Sequence, residues 1–348
     1  MLPVLLIAPT IVLFGLQRQS TGDDSAFAAT ERHGVAYLRA LVPLEIELVN
    51  AQVAAAAGST VQREPLIAAI GGAARADADY GTELLARDRW TDVRTKIEAA
   101  PPTGAPATVF AAYSEALDLL LDLVGKIRDA AGLARDPHAD TFYLADAAAE
   151  ELPEGIAAAG TYAGRVQLAR QLSATAQTDA LFGIAEARSD LISSASDLSE
   201  DLQLASQSSA GAGIDAGLLG KIDAYSRAAD ALAPTTSTAR TTLTADPAQI
   251  TNDRNDLGRA ASALSAALLS VLDNLLRDRV SSLRTRAAVA VAALVVAIVL
   301  GLVPVSLAVI QALRARRRRV PPVPGERWPD EYPARAPHER GETVSAAR

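Results

Sequence analysis

Apolar positions along this chain recur at alternating steps of four and three residues, the period of helices that pack as a bundle, and no stretch of useful length alternates with the period of two that a strand needs. Tyr37, Leu41, Leu44, Leu48 and Ala51 form one seam within 25–57, where Pro43 predicts a kink. The break at Gly58-Ser59-Thr60 predicts a second helix that starts near Thr60 and Glu64 and runs to about Ala99 through Gly71-Gly72. Segment 100–106, with three prolines, is a loop. A third helix is expected over 107–133, with Tyr113, Ala116, Leu120, Leu123 and Ile127 along one side. A fourth begins at Asp136-Pro137 and passes Pro153 to about Leu172, a fifth covers 177–207 and a shorter one 214–232. Gly211-Ala212-Gly213 and Pro234-Thr235-Thr236 are the breaks around the last of these. No fixed-period repeat is visible, which argues against a solenoid.

The final helix carries the seam Leu257, Ala261, Leu264, Leu268, Val271, Leu275, which then moves over by one position to Leu276, Val280 and Leu283. Such a shift is a stutter and locally unwinds a supercoil. Residues 259–300 contain neither glycine nor proline, so this helix is expected to continue unbroken into 287–313, a run without a charged residue. At about 1.5 Å per residue that run exceeds the ~30 Å hydrocarbon core of a bilayer. Arg314, Arg316, Arg317, Arg318 and Arg319 follow at once, and basic clusters beside a spanning helix stay on the cytoplasmic side. The expected layout is therefore an extracytoplasmic helical domain over 25–285, a transmembrane helix over 287–313 and a cytoplasmic tail over 314–348 in the plasma membrane. The tail is basic and then rich in proline and charge, with no apolar period, and is expected to be disordered. The arginine cluster would meet anionic lipid. A second apolar segment at 1–17 is short for a span at the helical rise, and is expected to be a first transmembrane helix whose start is missing, the alternative being a signal peptide.

Composition supports a thin, elongated, all-α bundle of one module or two with transmembrane helices. Hydrophobic residues make up 49% but aromatics only 4%, because alanine, the best helix former, supplies much of the apolar share. Cysteine is absent, so no disulfide or thiolate metal site exists. The net charge of -8 is carried mainly by the exterior domain and offers no electrostatic case for nucleic acid. His33, His138 and His338 are far apart, and no phosphate-binding loop, nucleophile elbow or HExxH motif is present. Neither catalytic residues nor a cofactor are expected, and the chain reads as a non-enzyme.

The densest local motif is Asp136-Pro137-His138-Ala139-Asp140-Thr141-Phe142-Tyr143-Leu144-Ala145-Asp146, with Leu152-Pro153 beyond it. Asp136 suits a helix N-cap with Pro137 at the first helical position. Asp140, Tyr143 and Leu144 would share a face, which makes Asp140 and Tyr143 candidate ligand contacts. A metal site from Asp136, His138 and Asp140 is disfavoured because the glycine and terminal glutamate of a calcium loop are missing. Arg39, Arg63, Arg165 and Arg170 are of the type that clamps carboxylates, but are expected to be solvated surface charges.

The same string resembles the Asp-Pro-x-x-Asp-x-Tyr-Tyr-Leu-x-Asp element, with a following Leu-Pro, of the extracytoplasmic four-helix-bundle sensor regions of bacterial chemoreceptors (methyl-accepting chemotaxis proteins) and sensor histidine kinases. Phe142 replaces the first tyrosine. Residues 31–38 and 52–58 are similar to the first-helix pattern of that group. The resemblance covers 25–302 and implies a homodimeric membrane receptor that detects a small-molecule or protein ligand outside and passes a conformational change through its last helix. It departs from the group after Arg319, where no HAMP relay or output domain follows, so output would fall to a separate kinase or receptor partner, unless the gene is truncated. A structural or scaffolding membrane protein that oligomerises through its bundle is the alternative.

Overall fold

In the computed structural model, which describes residues 2–208, 215–234, 243–244 and 246–317, every regular element is helical and the described residues contain no strand. The chain runs through α1 (Leu2–Ala56), α2 (Arg63–Tyr80), α3 (Arg87–Ala99), α4 (Pro106–Ala131), α5 (Ala139–Asp146), α6 (Leu152–Arg170), α7 (Ala174–Ser208), α8 (Ala216–Leu232) and α9 (Pro247–Arg317). A single 3-10 turn at Leu133–Arg135 precedes α5, and a π turn at Ala147–Glu151 joins α5 to α6.

Two antiparallel four-helix bundles lie side by side, with α1 packed against helices of both. In the first, Tyr37 on α1 donates to Asp77 on α2 at 3.0 Å, Lys96 on α3 pairs with Glu115 on α4, and Ala131 at the end of α4 lies against Gly34 on α1. In the second, Arg165 on α6 meets Glu186 on α7 at 2.9 Å, Arg188 on α7 reaches the Pro234 carbonyl just beyond α8, and Gln167 on α6 bonds Thr251 on α9 at 3.3 Å. These pairs fix the up-down-up-down order of α1–α4 and again of α6–α9.

Helix α1 belongs to both bundles because it buries two adjacent seams. The predicted seam Tyr37, Leu41, Leu44, Leu48 and Ala51 is fully enclosed. A second one, shifted by a single position, runs Glu31, Val35, Leu38, Val42, Glu45, Val49, Gln52 and Ala56, and all of these except the half-buried Val42 are buried. A Cβ on Gly160 of α6 would meet Val49 and Gln52 at 2.7 and 2.6 Å, so α6 lies directly on this second seam. Heptad positions displaced by one residue sit about 100° apart around the axis, wide enough for a neighbour on each.

Several boundaries depart from expectation. Residues 60–99 form two helices, because the chain reverses over Gly81–Ala86, where Ala86 N–H donates to the Gly81 carbonyl and Leu85 takes a positive φ of 52°. Gly71-Gly72 remains inside α2, and Pro43 is accommodated within an unbroken α1. Pro153 has no N–H to give to the preceding turn and its ring crowds the carbonyl four residues back, and the π turn immediately ahead of it absorbs both. On α9 the seam shifts earlier than its residues indicate: Leu268, Leu272, Leu276 and Val280 are buried at steps of four, while Val271 and Leu275 are only partly covered. The expected break at 211–213 lies outside the described residues.

Helix α9 does not end with the bundle. It continues without interruption to Arg317, and Val289, Val295, Val299, Leu302, Leu307 and Leu313 stand exposed along it. Among the described residues it is the one helix long and apolar enough to cross a membrane, with an 18-residue window of mean hydropathy 2.1 of which nothing is buried against protein. Arg314 and Arg316 follow as exposed residues, Arg317 closes the helix, and Arg318 and Arg319 lie outside the described residues. The N-terminal part of α1 leaves the bundle from the same end as α9, here termed proximal.

Candidate functional site

At the proximal end, just before α1 and α9 part from the bundle, a buried charged cluster joins them. Arg279 on α9 donates from Nη1 to both oxygens of Asp136, at 3.1 and 2.9 Å, and from Nη2 to Thr141 Oγ1 on α5 at 2.8 Å. The same Nη1 lies 3.5 Å from Glu31 Oε2 on α1. Glu31 is wholly buried, the Asp136 side chain is 1% exposed and the Arg279 side chain 16%, so water screens little of this interaction. One guanidinium thus ties together α1, the α4–α5 connection, α5 and α9.

Local sequence explains how Asp136 comes to be presented. Gly132 ends α4 in the left-handed conformation, φ 86°, with its N–H on the Arg128 and Asp129 carbonyls, and the 3-10 turn follows directly. A side chain at Gly132 would collide with Phe27. Pro137 then holds the preceding residue extended, and Asp136 has φ -60° and ψ 125°. The expected cap is thereby corrected: α5 starts at Ala139, Pro137 lies outside it, and the N-cap residue is His138, whose side chain makes no cap bond. Asp136 Oδ1 does accept the His138 N–H at 2.9 Å, but its carboxylate is engaged mainly with Arg279. The helix starts later because His138 is itself extended, with φ -99° and ψ 117°, so the helical conformation begins only at Ala139.

Two carboxyl groups share one arginine, and their environments separate their proton affinities. Burial pushes Asp136 up, but hydrogen bonds from Thr141, the His138 N–H and Arg279, with the Arg279 charge, outweigh it and hold Asp136 below the usual carboxylate range. Burial, the Asp136 charge and a hydrogen bond with Asp136 push Glu31 up to about 8, against the pull of Arg279. At neutral pH the cluster therefore holds an ionised Asp136, a protonated Glu31 and a cationic Arg279, close to charge balance.

Neighbouring contacts extend the attachment. Arg32 pairs with Asp273 at 2.8 Å and Arg39 donates to the Leu269 carbonyl at 3.0 Å, both between α1 and α9. His33 meets Glu83 at 2.8 Å and stacks on Tyr80, its ring centroid 5.0 Å away.

Of the residues singled out in sequence, Asp136 lies at the centre of this cluster. Asp140 and Tyr143 do not join it: Asp140 Oδ1 accepts the Thr141 N–H at 2.9 Å, and Tyr143 packs against the core with its ring edge-on to Phe142. Arg63 reaches the Glu98 carbonyl at 3.5 Å and Arg165 the Gly183 carbonyl at 2.6 Å, so both serve as helix-end and interhelix ties. Space for a small molecule opens elsewhere, in a groove of about 220 Å³ between α7 and α8 lined by Leu191, Ile192, Ala195, Ser199, Ser226 and Asp230. Glu31 and Arg279 are functional candidates that sequence reading passed over. Their signal was present: Glu31 is the first position of the second α1 seam, and Arg279 directly precedes Val280 in the α9 seam. No family model, curated protein or solved structure matches this chain.

Proposed function

We propose that this chain is a membrane-anchored sensory module, related in kind to the sensor regions of bacterial chemoreceptors and sensor histidine kinases, in which a paired helical bundle outside the cell biases the position of α9 across the membrane. The observation that carries the reading is the continuity of α9: one helix packs through the whole second bundle, passes the Arg279 cluster and emerges as the exposed apolar stretch. A helix without a hinge between a folded domain and a bilayer delivers axial or rotational shifts at one end to the other. The Arg279 cluster fixes where that helix sits relative to α1, so two packings of the bundle would be read out as two positions of α9 at the membrane face.

In this reading the chain has no catalytic activity. It works as a homodimer, with the arginine cluster on the cytoplasmic side against lipid and the signal handed to a separate kinase or receptor. The groove between α7 and α8 would admit an extracytoplasmic small molecule, with Ser199, Ser226 and Asp230 supplying its polar contacts. A chimera joining α9 to a kinase output tests the reading. Ligand-dependent output in the wild-type chimera that disappears when Ser281 and Ser282, exposed on α9 below the cluster, are both replaced by glycine supports it. A second reading, a scaffold, draws on the closed Leu/Ala interior of both bundles. Large stable oligomers together with no response to a broad metabolite panel would replace the sensor by the scaffold.

A further inference from the structure

Helices α7 and α8 close on each other only in part, and the space left between them has a definite chemistry. Ala195 and Ser199 on α7 and Ser226 and Ala229 on α8 line the groove of about 220 Å³, and side chains this small do not fill the gap between the two helices. Leu191, Ala229 and Ala233 form a buried apolar floor, whereas Ile192 stands 36% exposed at the rim, where an occupant would cover it. The volume lies below the ~300–1,000 Å³ of pockets for drug-sized ligands, so the groove suits a short molecule.

The polar groups at this groove accept hydrogen bonds and offer few. The Asp230 carboxylate makes no ion pair or hydrogen bond with any described residue. Ser199 Oγ already donates to the Ala195 carbonyl at 2.8 Å and keeps only its lone pairs for a ligand. Ser226 is half-buried, four positions from Asp230 on the same face of α8, and its hydroxyl makes no hydrogen bond among the described residues. Helices α7 and α8 hold three basic residues, Arg188, Lys221 and Arg227, and none of them lines the groove. Arg188 is turned to the Pro234 carbonyl and Lys221 to the Gly217 carbonyl. An anion here would meet a carboxylate with no cation to offset it, and an uncharged apolar molecule would leave Asp230 unpaired.

We infer that the α7–α8 groove takes a small organic cation, a primary amine on a short apolar body, with the ammonium at Asp230 and the Ser199 and Ser226 hydroxyls and the body over Leu191, Ile192 and Ala233. The sensor reading, on which this rests, puts the ligand in this groove; the lining makes that ligand an amine. An ammonium has three N–H donors and no acceptor, the complement of a lining that mainly accepts. Asp230 is exposed at the rim, so water screens the ion pair: the charge gives a preference of a few-fold, and burial of the apolar body supplies most of the binding. The net charge of -8 on the chain favours the approach of cations.

Hexylamine, hexanol and hexanoate share one apolar body and differ in charge and in donors. Titrating each into the full chain in nanodiscs of zwitterionic lipid, with empty nanodiscs as the blank, reads the preference of the groove by calorimetry. The expected result is saturable binding of one hexylamine per chain, about five-fold weaker binding of hexanol and none of hexanoate. Asp230→Asn, at an exposed position, should weaken hexylamine to the level of hexanol while leaving hexanol binding and the melting temperature unchanged, a selective loss that disturbed packing would not give. Ala195→Leu fills the groove and should weaken hexylamine and hexanol alike, at least about ten-fold. No saturable hexylamine binding, a preference for hexanol or hexanoate, or an amine preference that survives Asp230→Asn overturns the inference. Output from the chimera enters none of these readings, so loss of the amine site and loss of the sensor reading are separate outcomes.

Discussion

Helix α9 carries two arginines that reach toward α1, Arg254 buried and Arg279 partly buried, and they meet opposite surroundings. Arg279, at the proximal end, finds an ionised Asp136, a protonated Glu31 and the Thr141 hydroxyl. Arg254, toward the distal end and 5% exposed, bonds only a neutral partner, Asn50 Oδ1 at 2.6 Å, and its Nε has no partner. Burial lowers the pKa of Arg254 to about 10, with the Glu47 charge opposing. The same residue type in the same helix pair is therefore charge-balanced at one end and under-compensated at the other. A buried ion pair holds a particular arrangement strongly because losing either partner strands a charge, whereas a buried charge without a counter-ion mainly weakens the packing around it. The proximal end of the α1–α9 contact is thus the specified one, and it lies where both helices leave the bundle.

The largest expected effect is at Arg279. Its replacement by methionine leaves the buried Asp136 with only the His138 ring, Nδ1 3.1 Å away, in place of the guanidinium and should destabilise the bundle by about 3–5 kcal/mol in denaturant titrations. Asp136→Asn should be milder, about 1–3 kcal/mol, because Glu31 can ionise and take the place of Asp136 beside Arg279. A simple N-cap would predict almost no loss for that substitution, since asparagine caps as well as aspartate. Adding Glu31→Gln removes the substitute, so the double variant should lose more than the two single losses combined, a coupling measurable in a double-mutant cycle.

A smaller effect concerns pH. Glu31 titrates near 8 in the folded protein against an ordinary value of 4.5, so the folded state retains a proton that the unfolded chain releases. Its contribution is present in full below about 4.5, declines as pH rises to about 8, and is gone above that. Glu45 and Glu151 are raised as well and slope the same way. The measurement is therefore the difference between wild type and Glu31→Gln, whose stability should fall less steeply across that window. Smallest of all is Arg254→Met, expected to change stability by no more than about 1 kcal/mol or to increase it, because it removes an under-compensated charge. A loss there as large as that at Arg279 would dissolve the contrast between the two ends.

Periodicity made most of the helices legible, because bundles write their packing into heptads: every residue of the α1 and α4 seams read from sequence is buried. The side-by-side arrangement was legible too, but only to a search for a second seam. Three polar residues, Glu31, Glu45 and Gln52, interrupt that seam and disguise it as a solvated face. The reversal at Gly81–Ala86 was hidden because it uses Leu85 at positive φ, where sequence offers neither glycine nor asparagine as a marker. The Asp136 motif pointed to the right place with the wrong partner. Its local spacing fits a cap, whereas Arg279 lies 143 positions away and could be joined to it only by the fold. The π turn before Pro153 has no periodic signature at all, so it was beyond sequence reading.

The central claim is that the Arg279 cluster fixes α1 relative to α9 where they leave the bundle. Because the chain has no cysteine, spin labels can be placed cleanly at Asp23→Cys and Thr285→Cys, exposed positions on the two helices just below the cluster. Pulsed electron spin resonance on the full chain in nanodiscs should give one narrow distance distribution in this background and a broadened or split one when Arg279→Met is added. An equally narrow, unshifted distribution in the Arg279→Met protein, with the bundle still folded, would contradict the account.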